Sequence, residues 1–75
     1  MTTYTVWTQA TGETYPRQVA TRTRAESAIR VAKFHSMNLS KFCPQFDHIV
    51  YVQNPAGVEI ERYIVASGLP AIPQA

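Results

Sequence analysis

One segment carries an apolar stripe at helical spacing, and it limits the architectures that the rest of the chain can adopt. Residues 23–38 are predicted to form a helix, because apolar residues recur every three or four positions and neither Gly nor Pro interrupts them. The stripe consists of Ala25, Ala28, Ile29, Ala32 and Leu39. Thr23 and Glu26 have the spacing of a capping box that would begin the helix. Of these side chains, Ile29 is expected to be the main core anchor because it is the largest near the middle of the stripe.

Apolar residues elsewhere alternate with a period near two, which is typical of strands. Residues 4–9 and His48–Gln53 are predicted strands, and residues 58–65 return after a turn at 54–57. Residues 14–21 are either a short edge strand or an extended lead-in to the helix, because Pro16 cannot donate to a sheet ladder. The predicted fold is α+β: a single domain over residues 1–75, with one helix on an antiparallel sheet of three or four strands. Residues 67–75 are a Pro-containing tail, predicted to be irregular and either loose or along the sheet edge.

The last predicted strand departs from simple alternation. Val58 and Ile60 are expected to face inward, with Glu59 and Glu61 facing outward. Arg62 then breaks the pattern before Tyr63 and Val65. A β-bulge near Glu61-Arg62 would return the later residues to the core.

The face of the helix opposite the stripe combines apolar and basic residues. At 100° per residue, Arg30, Phe34 and Met37 lie together, with Lys33 beside them. One interpretation is that Phe34 and Met37 lie under the following loop. Phe42 and Phe46 would complete the cluster there. The alternative is an exposed patch that binds a partner or a second copy of the chain.

Charge is distributed unevenly along the chain. Residues 14–46 hold six basic residues against one acidic residue, a net of +5, and the rest holds one against four, a net of −3. This pattern favours a basic helical side and an acidic hairpin. The candidate partner-binding residues are Arg17, Arg22, Arg24, Arg30, Lys33, Phe34 and Met37.

Composition places the chain among small folded domains. Apolar residues make up 45% and charged residues 16%, which argues against disorder. A single cysteine, Cys43, excludes an intramolecular disulfide and favours a reducing compartment. The first residues do not resemble a secretory signal, and no apolar run approaches the ~20 residues of a membrane-spanning helix. The expected location is the cytoplasm, without membrane contact.

The sequence does not predict an enzyme. Cys43 and His35 would need a third group that orients the base, and nothing nearby supplies one. His35, Cys43, Asp47 and His48 match no common zinc spacing, so neither a metal nor a cofactor is expected.

Two kinds of binding protein remain. The first docks on another macromolecule through one face. The second is a nucleic-acid-binding module, whose basic side chains neutralise phosphates. In that case the aromatic residues would act as stacking platforms if they share the exposed sheet face. These aromatic residues are Tyr4, Trp7, Tyr51 and Tyr63.

The order of elements resembles that of a known class of proteins. A strand at residues 4–9 precedes a helix that opens with Thr23-Arg24-Ala25-Glu26-Ser27 and continues through Ala28-Ile29-Arg30-Val31-Ala32-Lys33. A hairpin at residues 51–65 closes the domain. This layout, over most of the chain, resembles the small anti-CRISPR proteins of phages and mobile elements, especially the α/β types that act on type I surveillance complexes.

The resemblance implies stoichiometric inhibition of a bacterial CRISPR effector, by blocking target DNA binding or nuclease recruitment. The basic charge departs from the acidic members that mimic DNA. Because interface residues differ between members, the resemblance assigns none here.

Overall fold

In the described part of the chain, one helix covers one face of an antiparallel sheet. The computed structural model describes residues 2–42, 47–65 and 71–73. The elements in chain order are β1 (Tyr4–Ala10), β2 (Arg17–Arg22), α1 (Ala25–Phe42), β3 (His48–Gln53), β4 (Glu59–Val65) and β5 (Ala71–Pro73). The strand order in the sheet is β2-β1-β3-β4-β5. The predicted α+β class is therefore confirmed.

The core lies between α1 and the central strands. Val6, Val50 and Val52 are fully buried on the sheet, and Ala28 and Ala32 are fully buried on the helix. Alanine side chains let the helix approach the sheet closely, so valines on the sheet fill the space between them. The predicted orientation of the stripe is confirmed.

A serine is one of the three buried residues of α1, which the apolar pattern did not predict. Ser36 is fully buried, and its hydroxyl donates to the Lys33 carbonyl at 2.7 Å. Because this local hydrogen bond satisfies the hydroxyl, the residue packs against the sheet as a small side chain.

Ile29 lies at the margin of the core rather than at its centre. It is half-buried and packs against the buried cluster. We therefore expect Ile29→Ala to lower the free energy of unfolding by about 1–2 kcal/mol, below the ~2–5 kcal/mol typical of fully buried positions. Urea denaturation measures this directly. A loss above about 4 kcal/mol would mean that Ile29, and not the valines, anchors the helix.

The helix begins and ends later than the sequence pattern predicted. The Ala28 N–H donates to the Arg24 carbonyl at 3.1 Å, so Arg24 rather than Thr23 is the N-cap. The helix continues to Phe42 because no Gly or Pro occurs before Pro44. Lys41 in its last turn also interacts favourably with the helix dipole.

Residues 17–22 are a strand, which resolves the open prediction for this segment. Within the described residues, β2 pairs only with β1 and lies at the sheet edge, directly after Pro16. Val6 pairs with Ala20 but Trp7 pairs with Gln18, so Val19 is an extra residue in a bulge. This bulge explains why the segment lacks clear alternation.

The β3–β4 hairpin has the predicted turn but a different bulge. Asn54 Oδ1 accepts the backbone N–H groups of Ala56 and Val58, and Gly57, at φ +82°, donates to the Asn54 carbonyl. Gln53 pairs with Glu59 and Val52 with Glu61, so the extra residue is Ile60.

The bulge therefore precedes Glu61-Arg62. Glu61 pairs with the buried Val52 and so lies on the helix side of the sheet, although it was expected to face outward, whereas Glu59 is exposed as expected. Val58 and Ile60 are exposed, so the prediction that they face inward was wrong. Tyr63 and Val65 are buried as expected.

A three-residue strand replaces part of the predicted irregular tail. Ala71–Pro73 pairs with β4 and extends the sheet beyond it. Of the two possibilities for the tail, a position along the sheet edge is therefore correct for these residues. The other residues of 67–75 lie outside the described part of the chain.

Candidate functional site

The outer face of α1, opposite the buried stripe, is not covered by the described chain. Phe34 is 65% exposed and Met37 is 56% exposed. The exposed cations Arg30, Lys33 and Lys41 surround them at helical spacing. We call these five residues the outer helix face.

The interpretation that Phe34 and Met37 lie under the following loop is wrong for the described residues. Phe42, one of the two expected partners, is itself 69% exposed, and Phe46 lies outside the described residues. The Lys41 ammonium instead lies over the Phe42 ring, 5.4 Å from its centroid.

The cations of the outer helix face are not neutralised by local carboxylates. The two ion pairs among the described residues join Arg17 to Glu13 and Arg62 to Glu59. Arg30 and Lys33 are therefore available to an acidic partner, and the face combines positive charge with bulky apolar groups.

The structure divides the predicted partner-binding residues into two groups. Arg30, Lys33, Phe34 and Met37 come together on the outer helix face. Arg17 and Arg22 lie at opposite ends of β2, and Arg24 precedes the helix. The Arg22 guanidinium donates to the carbonyl of its neighbour Thr21 at 2.6 Å. These three arginines therefore do not extend the same surface.

A second uncovered surface is the sheet face that α1 does not cover. Trp7 on β1 pairs with Tyr51 on β3, and Gln18 and Arg62 continue this row on the flanking strands. The Trp7 indole Nε1–H donates to the Thr5 hydroxyl at 2.8 Å, which holds the ring in place.

The aromatic residues do not all share that face. Trp7 and Tyr51 lie on it, whereas Tyr63 is buried on the helix side and Tyr4 packs against the core. Burial raises the pKa of Tyr51, nearby Glu59 raises it further and Arg62 opposes the shift. The phenol therefore remains protonated at neutral pH and can donate a hydrogen bond.

A cleft of about 320 Å³ lies on the helix side of the sheet, next to the β2 edge. Basic groups reach it from three elements: Arg17 from β2, His48 from β3 and His35 from α1. Thr8 of β1 also lines it. We call this the basic cleft. Sequence reasoning considered His35 as a base for Cys43 and both histidines as metal ligands. It did not place Arg17 beside them, because no local spacing connects these positions.

Burial lowers the pKa of His35 below its ordinary value, and the neighbouring His48 and Arg17 lower it further. His35 is therefore neutral at pH 7. Cys43 lies outside the described residues, so its distance from His35 is not defined by the structure. The described residues contain no cluster of three His, Cys, Asp or Glu side chains around one point.

The Thr8 hydroxyl is buried at the floor of the basic cleft and has no hydrogen-bond partner. We expect Thr8→Val to raise the free energy of unfolding by about 1 kcal/mol in anion-free buffer, because an unsatisfied buried hydroxyl is removed at constant shape. Thermal denaturation in a non-coordinating buffer measures the change.

Thr5→Val is the matched control for Thr8→Val. The Thr5 hydroxyl accepts the Trp7 indole N–H, so this variant should lose about 1 kcal/mol. Equal destabilisation of the two variants would show that the Thr8 hydroxyl has a partner in solution.

A larger cleft of about 450 Å³ lies beside the β1–β2 turn. Its polar groups are largely engaged with each other. Glu13 Oε1 accepts the Ala10 N–H at 2.7 Å, and the Gln9 amide donates to the Glu13 carbonyl at 2.9 Å. This cleft therefore offers fewer polar groups to a ligand than the basic cleft does.

None of the helices in the described part of the chain has the length and apolar character required to cross a membrane. Comparison with protein-family models, with curated proteins and with solved structures gives no match for this chain.

Proposed function

We propose that this chain is a non-catalytic binding protein that docks through the outer helix face on a bacterial CRISPR effector complex and blocks its action in the cytoplasm. The observation that carries the proposal is the exposure of Phe34 and Met37 between cations that form no ion pair within the described residues. The anti-CRISPR class follows from the layout resemblance, and the docking face follows from the geometry.

Phe34 and Met37 have the properties of residues at the centre of a protein–protein interface. Aromatic residues and methionine are enriched at the centres of protein interfaces, and charged groups surround them at the rim. Large apolar side chains in water cost free energy that a complementary groove would recover. The expected partner surface is therefore an apolar groove with acidic groups at its rim.

The charge of the face favours one mode of inhibition. A channel that holds target DNA is lined with cations, which would repel Arg30, Lys33 and Lys41. An acidic surface of the complex, such as one that receives a nuclease subunit, would attract them. We therefore propose that the chain blocks nuclease recruitment rather than DNA entry.

The test is binding of the purified chain to a purified type I surveillance complex, with DNA binding and nuclease recruitment measured separately. The double variant Arg30→Glu, Lys33→Glu should weaken binding at least about tenfold and reduce its dependence on salt. Arg22→Glu, Arg24→Glu carries the same charge change off the face and should bind normally. A correctly folded Arg30→Glu, Lys33→Glu variant with full affinity would exclude the face, and a wild-type chain that does not bind would exclude this partner.

A specific observation favours a second candidate, a single-stranded nucleic-acid-binding module. Trp7 and Tyr51 lie opposite each other on the two central strands of the uncovered sheet face. Adjacent aromatic rings of this kind stack on successive bases, each worth about 1–3 kcal/mol. The row also contains Gln18, whose amide can bond a base edge.

Trp7 is the only tryptophan, so its fluorescence reports on this surface alone. Oligothymidylate should quench it at low salt, and Tyr51→Ala should weaken binding about tenfold. Tyr15→Ala, which removes an aromatic ring that is 78% exposed elsewhere, should have no effect. Unchanged fluorescence and no complex at low salt would exclude this candidate.

A further inference from the structure

We propose that the basic cleft is a binding site for a small tetrahedral oxyanion, namely a phosphate or sulfate group. Its charged and polar lining comprises Arg17, His35, His48, Thr8 and Gln18, and no carboxylate lines it among the described residues. The site is separate from the outer helix face, so it goes beyond the docking function.

The fold brings three basic side chains from distant parts of the chain to one cleft. Arg17 and His48 both lie close enough to His35 to shift its titration. Arginine guanidinium and histidine imidazole groups commonly donate hydrogen bonds to phosphate. The cleft offers both kinds of donor, in Arg17 and in the two histidines.

Arg17 retains donors for such a ligand. Its Nε lies 3.2 Å from the Glu13 carboxylate, on the turn that precedes β2. A guanidinium has five N–H groups, so this contact engages only one edge of it. Its side chain is 67% exposed and is therefore free to turn its other edge into the cleft.

Thr8 supplies the most specific sign of a missing partner. Its buried hydroxyl lacks a hydrogen bond, although nearly all buried polar atoms in folded proteins have one. Thr8 lines the cleft together with Arg17, so its hydroxyl is a candidate donor to an anion bound there. The cleft, at about 320 Å³, is also far larger than the ~30 Å³ that a single water requires.

Binding should be linked to protonation of His35. The groups facing His35 are His48 from β3 and Arg17 from β2, and β1 contributes only the uncharged Thr8. A bound oxyanion stabilises the protonated imidazole of His35, and it therefore raises the pKa of His35. By linkage, the protein takes up a proton on binding and affinity falls as pH rises.

The experiment uses sulfate, which remains a dianion across the relevant pH range, with chloride at equal ionic strength as the control. NMR of the histidine side chains should show saturable shifts at His35 and an increase in its pKa. The affinity should be about tenfold weaker at pH 8 than at pH 5.5. Inorganic phosphate and ribose 5-phosphate, compared at one pH, distinguish a free anion from a terminal phosphate group as the ligand.

Arg17→Gln should abolish the sulfate-induced shifts, and Thr8→Val should weaken binding without unfolding the chain. Arg22→Gln, at the other end of the same strand, is the matched control and should bind normally, as should Arg30→Glu, Lys33→Glu. The proposal is wrong if about 10 mM sulfate causes no saturable shift. It is also wrong if Arg17→Gln responds like the wild type, because that result means non-specific ion binding.

Discussion

Replacing Ala32 with glutamate is expected to prevent stable folding at room temperature, whereas the same substitution at the next residue, Lys33, should change stability by less than about 0.5 kcal/mol. Ala32 is fully buried against the sheet, and Lys33 is exposed. The two positions differ by only 100° around the helix.

The difference follows from solvation and space. A glutamate at position 32 has no room beside Val50 and Val52, and a buried carboxylate without a partner costs several kcal/mol. A domain of 75 residues has only about 4–11 kcal/mol of stability. The substitution therefore removes most or all of it.

Circular dichroism and urea denaturation compare the two variants directly. Ala32→Ser is a further control, because Ser36 shows that a hydroxyl bonded to its own helix is accommodated in the stripe. A folded Ala32→Glu variant with normal stability, together with an unstable Lys33→Glu variant, would mean that the helix is rotated from its position here.

The double variant Phe34→Ala, Met37→Ala should lower affinity for the docking partner by about 100-fold while the chain remains folded. Centrally placed aromatic side chains at interfaces often contribute 2 kcal/mol or more, and about 2.7 kcal/mol corresponds to this loss. Both side chains are exposed, and alanine has the highest helix propensity of all residues. The free energy of unfolding should therefore stay equal or increase slightly.

Tyr15→Ala provides the control for general loss of exposed apolar surface. Tyr15 is as exposed as Phe34 but lies in the β1–β2 connection, away from the helix. Binding measured by calorimetry or biolayer interferometry should be unchanged in this variant. If the Phe34→Ala, Met37→Ala variant binds the effector complex as tightly as the wild type does, the docking face lies elsewhere.

A second copy of the chain is the competing occupant of the outer helix face. Sedimentation equilibrium distinguishes self-association of the chain from binding to a different partner. A homodimer that dissociates in the Phe34→Ala, Met37→Ala variant would assign the face to self-association, and a monomer at all concentrations would leave it available to another partner.

Residues whose environment depends on local periodicity were predicted well. The burial of Ala28 and Ala32 follows from the 3.6-residue repeat. The same repeat places Phe34 and Met37 on the opposite face, but it left open whether the following loop covers them. Ser36 and Ile60 were not predictable in this way. A local hydrogen bond allows Ser36 to be buried, and a bulge exposes Ile60.

The amino-acid sequence alone determined the α+β class and the side of the helix that faces the sheet, because the hydrophobic repeats within single helices and strands specify both. Only the tertiary structure decided that Arg17, His35 and His48 meet beside an unpartnered Thr8 hydroxyl. That meeting requires β1 to lie between β2 and β3 and α1 to cross above them. Strand order and bulges arise from long-range pairing, which no local repeat in the sequence specifies.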